Sequence, residues 1–137
     1  MATVILALVA SSAAVGLGLA SAAQQEARLS QRAMQAAQQQ VDFLLEKPHD
    51  AMAEFAVEEP VGSIWAPPAG GAVDRTTTLG DDWALLGRRT VLTDEPLTFS
   101  QFQGVQVDGT RIEVEVFGAD GTVYASIRRH RTRESDA

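Results

Sequence analysis

The sequence has no cysteine. Disulfides, thiol chemistry and cysteine-built metal sites are therefore excluded, while the redox compartment stays open. Histidine is scarce, with two residues, His49 and His130. There is no basic excess: 11 basic against 18 acidic residues give a net charge of −7, which argues against nucleic acid or an anionic membrane surface as the default partner. At 137 residues the chain is too short for a large multidomain enzyme. No G-x-S-x-G elbow surrounds Ser63, which sits in V-G-S-I-W. The lone Gly16-Leu17-Gly18 is too sparse for a nucleotide fingerprint. No internal repeat is present. Hydrophobic content of 45% and charged content of 21% exclude wholesale disorder.

What is present is unevenly distributed. Residues 2–23 carry no charge over 22 positions, and roughly 20 apolar residues span a bilayer as a helix. Val4, Ile5, Leu6, Leu8, Val9, Val15, Leu17 and Leu19 supply about −2.5 to −5 kcal/mol of insertion free energy. Thr3, Ser11, Ser12, Ser21, Gly16 and Gly18 oppose it. Small residues also let helices approach closely. Three readings compete. A cleaved secretory signal would use Ser21-Ala22-Ala23 as its cleavage site, but Met1-Ala2-Thr3 offers no basic start. A buried core helix would be shorter. A membrane or assembly helix fits best, with Val4, Leu8, Val15 and Leu19 as the helix–helix assembly residues.

Gln24 to Lys47 has no Gly or Pro and is rich in good helix formers. Leu29, Ala33, Ala37, Val41 and Leu44 form one apolar stripe. Pro48 ends or kinks the helix. A helix over residues 2–47 would be about 70 Å long, too long for so small a globule. Its first half must therefore find lipid or other copies. His49 to Val57 reads as a short helix closed by Pro60, and Val61 to Gly80 as a loop anchored by Ile64 and Trp65.

The C-terminal third changes period. In T-R-I-E-V-E-V-F, Ile112, Val114 and Val116 alternate with Arg111, Glu113 and Glu115, as in a strand with one wet face. Gly118-Ala119-Asp120-Gly121 is a turn signal. Val123 to Arg129 alternates again, so the pair predicts an antiparallel hairpin. Leu86 to Asp94 predicts a third strand and Phe102 to Val107 a fourth. The tail Arg128 to Arg133 is basic and is read as a frayed end. The expected fold is α+β: one long N-terminal helix packed on a small antiparallel sheet of three to four strands. The helix has a membrane or assembly half, residues 1–23, and an amphipathic half with its helix end, residues 24–57. Residues 58–137 form the head. Ile112, Val114 and Val116 are expected to face Leu29, Val41 and Leu44, because two apolar faces in one small domain have few options but each other.

This layout resembles the type IV pilin and pseudopilin family. Met1 to Ala10 is similar to the stretch following that family's F-T-L-x-E motif, and Ala22 to Gln40 to its second half-helix. Leu44 to Met52 is similar to the helix-end segment of many minor pilins. Arg89-Thr90-Val91 and the hairpin Ile112 to Arg129 resemble the family's sheet. The F-T-L-x-E motif itself is missing, and no acidic residue precedes Glu26. The coding sequence is therefore expected to extend upstream into a basic leader and such a motif.

The resemblance implies a non-enzymatic subunit of a pilus, DNA-uptake or type II secretion filament, a single-pass protein of the bacterial inner membrane with its head in the periplasm. Its implied partners are other pilin or pseudopilin subunits, and inner-membrane lipid before assembly. The alternative is a membrane-anchored or secreted small binding module. No cofactor is expected. The acid pairs Glu58-Glu59, Asp81-Asp82 and Asp94-Glu95 are read as surface charge, with a calcium loop, known in some pseudopilins, as the alternative. His49, near Glu46, Asp50 and Glu54, is read as a solvated helix end rather than a metal ligand.

Overall fold

The computed structural model describes residues 2–65, 78, 80–98, 101 and 104–133, with side chains from residue 14 onward. The chain divides into two compact units, residues 1–31 and 32–137. The element bounds run α1 Ala2–Glu46, α2 His49–Met52, a 3-10 turn Ala53–Phe55, β1 Glu58–Glu59, a second 3-10 turn Asp81–Trp83, β2 Leu86–Asp94, β3 Leu97–Thr98, β4 Gln106–Val107, β5 Gly109–Gly118 and β6 Val123–Thr132.

In the first unit, residues 14–28 are all exposed, and Leu29 and Ser30 are half-buried. Among the described residues no helix is long and apolar enough to cross a membrane. The expected inner-membrane span on residues 1–23 is therefore not supported. The physical reason lies in the described part of that run. Ala14 to Ala23 holds three large aliphatic side chains, Val15, Leu17 and Leu19, diluted by Ala, Gly and Ser, and Glu26, Arg28 and Arg32 follow within about two turns.

The second unit is a long helix packed on a four-stranded antiparallel sheet of order β1-β2-β5-β6, so the fold is α+β as expected. The covering face of α1 is Ala33, Ala36, Ala37, Gln40, Val41, Phe43 and Leu44, all buried. Alanine at three of these positions removes bulk between the helix backbone and the strands. Beneath them lie Ile112, Val114 and Val116, each 0% exposed. Register places Arg88 opposite Val116, Thr90 opposite Val114 and Leu92 opposite Ile112, with Ala125 and Ile127 completing the inner face from β6. Arg111, Glu113 and Glu115 stand on the other face, as period-2 alternation requires.

The hairpin closes through Gly121, whose φ of 81° suits glycine, and through Asp120, which accepts hydrogen bonds from the Thr122 N–H at 3.0 Å and hydroxyl at 2.8 Å. Gly87 lies opposite Phe117. A Cβ there would come within 2.7 Å of the Phe117 ring and 2.9 Å of the Glu59 carbonyl oxygen. Its bareness is what lets the ring lie across β2. Beside the sheet, Phe43 meets Phe55 and Trp65 edge-on, both with ring centres 4.9 Å apart.

Three sequence expectations are corrected. The fourth strand of the main sheet is Glu58–Glu59, paired with Arg89 and Arg88. These residues have weak intrinsic strand preference and are held by cross-strand ion pairs. The segment expected as the fourth strand contributes Gln106–Val107, paired with Leu97–Thr98 in a separate ribbon, while Phe102 and Gln103 lie outside the described residues. The basic tail is not frayed up to Thr132, because β6 runs through it against β5. Arg131 anchors its end. Its guanidinium donates to the Leu44 carbonyl at 3.2 Å and to that of Lys47. Leu44 lies in the last turn of α1 and Lys47 just beyond it; the Lys47 N–H donates to the Leu44 carbonyl at 3.2 Å, and Pro48 has no N–H to add.

Candidate functional site

The residues expected to serve assembly all fall in the first unit, and those expected to dock the head, Leu29 excepted, in the second. Val15 is 63% exposed, Leu17 73% and Leu19 68%. Val4 and Leu8 lie on α1, but their side chains are outside the described residues. Gly16 and Gly18 have open space where a Cβ would stand. Of the docking residues, Val41, Leu44, Ile112, Val114 and Val116 are buried in the second unit, whereas Leu29 is half-buried and belongs to the first.

Between helix and sheet sits a charged centre that the sequence reading missed. The Arg88 side chain is 0% exposed. Its Nε donates to Glu59 Oε2 at 2.6 Å and its Nη2 to Glu59 Oε1 at 2.8 Å. The remaining donors reach the Trp65 carbonyl at 3.0 Å and the Ala36 carbonyl at 3.2 Å. Glu59 Oε1 also accepts the Trp65 N–H at 2.7 Å. One guanidinium thus ties α1, β1 and the loop after β1 to β2. Such bidentate pairing is the arrangement that makes a buried arginine tolerable. Parity gave a signal, since Arg88 shares a strand face with Leu86 and Leu92; nothing local pointed to Glu59.

A cavity of about 430 Å³ opens beside α2, lined by the apolar Met52, Ala53, Ala56 and Leu92 and the polar His49, Asp50, Asp94, Thr110 and Arg133. A directed hydrogen-bond chain crosses it. The Thr110 hydroxyl donates to Asp94 Oδ1 at 2.8 Å. Its proton being so placed, His49 Nε2, 2.6 Å away, donates to Thr110 Oγ1. His49 Nδ1 then accepts from Arg133 Nη2 at 3.3 Å. An activated nucleophile needs a base that accepts its proton. Here the imidazole donates a hydrogen bond to the hydroxyl, and the hydroxyl's own hydrogen bond goes to the Asp94 carboxylate, which does not touch the histidine. The chain braces α2 against β5 and β2, in an order other than the hydroxyl–imidazole–carboxylate order of a triad.

The acid pairs are engaged by cations. Glu58 meets Arg89 at 2.8 Å, Asp82 meets Arg32 at 2.9 Å, and Glu95 meets Arg111 at 2.7 Å. Among the described residues no three His, Asp or Glu side chains converge to hold a metal ion. Trp65 is buried in the core, and Trp83, half-buried, donates from Nε1 to the Arg32 carbonyl at 3.3 Å. Hydrogen bonds from Thr122 hold the Asp120 carboxyl below its ordinary pKa. No protein-family model, no curated protein and no solved structure matches this chain.

Proposed function

We propose that the protein is a non-enzymatic structural subunit of the minor pilin or pseudopilin kind, whose uncharged N-terminal half-helix packs among those of neighbouring subunits. The observation that carries this reading is the helical run Ala14 to Ala23, uncharged and exposed throughout, with Val15, Leu17 and Leu19 each roughly two-thirds exposed. Burying three such side chains is worth roughly 3–6 kcal/mol. Association itself costs an estimated 4–15 kcal/mol, so one helix pair built on these three gains little. Packing against several neighbours at once, as in a filament, multiplies the burial, and the intervening Ala and Gly permit close backbone approach. The partners are other pilin or pseudopilin subunits. Before assembly, inner-membrane lipid covers the run and the head lies in the periplasm. Shielding by lipid does not require the run to cross the bilayer.

The Cys-free chain gives a clean test. Val15→Cys in the full chain should cross-link copy to copy under mild oxidation, and Ser126→Cys on the head should not. Leu17→Glu with Leu19→Glu should abolish concentration-dependent association in sedimentation while leaving the head's circular dichroism intact. A full chain that stays monomeric at high concentration, yet binds lipid vesicles through the run, would replace this reading with the anchored binding module.

A further inference from the structure

We propose that β6 is a docking edge for an extended acidic segment of another protein, added antiparallel as a further strand. The strand is last in the sheet order, and among the described residues it pairs only with β5. It runs for ten residues, Val123–Thr132, without proline or glycine. Its hydrogen-bond parity is fixed by two bonds at the sheet's end. The Arg133 N–H donates to the Asp108 carbonyl at 2.8 Å, and the Glu95 N–H to the Gly109 carbonyl at 3.0 Å. Odd-numbered residues of β5 therefore bond to β2, and even-numbered ones to β6. The even residues of β5 pair with Ala125, Ile127, Arg129 and Arg131. It follows that the backbone N–H and C=O groups of Ser126, Arg128, His130 and Thr132 point away from the sheet.

Such an edge is a template for a further strand, and its side chains state which strand. Arg128, Arg129, His130 and Arg131 are consecutive, and Arg133 follows. Arg131 is held by the end of α1, Arg128 by Glu113 at 3.0 Å, and His130 by the Glu95 carbonyl at 2.9 Å. Arg129 is exposed and has no ion-pair partner among the described residues. The edge is thus a positive strip on a chain of net charge −7. That charge opposes pairing with a second such edge, the protective use of arginine on edge strands. The same charge favours an incoming strand with acidic residues beside Arg128 and Arg129 and an aliphatic one beside the half-buried Ile127. A phosphate backbone would meet the cations and the N–H groups but offers the outward carbonyls no donor.

The test uses the full chain and a fluorescent extended peptide of repeated Glu-Glu-Val, which sets Glu beside both Arg128 and Arg129 and Val beside Ile127. Binding should weaken with salt. On binding, amide hydrogen exchange should slow at Ser126, Arg128, His130 and Thr132, while Ala125, Ile127, Arg129 and Arg131 change little. Arg129→Glu, at an exposed position, should weaken binding roughly three- to tenfold, as reversing one solvated charge implies. The matching Lys–Val peptide should not bind. The proposal is overturned if the acidic peptide fails to bind, if the Lys–Val peptide binds equally, or if the even-numbered amides are unaffected. It is likewise overturned if a single-stranded oligonucleotide displaces the peptide at equal concentration.

Discussion

Replacing Glu59 by leucine would remove both oxygens that hold the Arg88 guanidinium, 2.6 and 2.8 Å away, and leave it with the Trp65 and Ala36 carbonyls. The arginine side chain is 0% exposed and the glutamate 10%, so water cannot take the lost partner's place. Breaking a buried pair on one side costs about 3–5 kcal/mol. Arg88→Met should fall near the lower figure, because the partly exposed Glu59 keeps the Trp65 N–H at 2.7 Å. The double variant removes both charges together. Its main residual loss is the charge-assisted hydrogen bond from the Trp65 N–H to Glu59, about 1.5–3 kcal/mol. The double variant should therefore be more stable than Glu59→Leu alone, and its loss should be smaller than the summed single losses by at least about 2 kcal/mol. Urea unfolding of the full chain at low concentration, followed by circular dichroism, measures all three. Losses that add to within about 0.5 kcal/mol would refute the argument, since independent sites add and a mutually neutralising pair does not.

Val114 is 0% exposed between Thr90 and Ile127, so Val114→Asp should cost about 3 kcal/mol or more, or unfold the head. On sequence alone Glu113→Lys would change stability by about ±0.5 kcal/mol. The structure raises that to about 1 kcal/mol, because Arg128 at 3.0 Å and Arg111 at 4.0 Å would then face a third cation; thermal melts giving equal losses at both positions would contradict the assigned strand faces. Asp120 has a folded pKa below its ordinary 3.8. Its contribution should be present above that ordinary value and vanish as pH falls through the lower folded value. The stability difference between the natural chain and Asp120→Ala, measured across a pH series, should close in acid, and a gap that persists there would contradict the Thr122 hydrogen bonds as its source. A chain lacking residues 1–23 should keep its sheet signal in circular dichroism, whereas loss of that signal would mean that the run belongs to the core.

The sequence by itself determined the elements whose signal is local. A stripe at spacings of three and four dictates a helix, and Pro48 dictates where it ends. Alternation at Ile112, Val114 and Val116, followed by a glycine-bearing turn, dictates the hairpin and its inner face. Tertiary structure decided what has no local signal. Glu58–Glu59 becomes a strand because Arg88 and Arg89, thirty residues on, meet it across the sheet. The basic tail becomes a strand because β5 offers it a ladder and the end of α1 accepts Arg131. The uncharged run was legible, since the lack of charge is a property of the residues. Arg88–Glu59 and the chain from Arg133 through His49 and Thr110 to Asp94 were not. Each joins side chains distant in sequence, and such a hydrogen bond exists only once burial has removed the competing water.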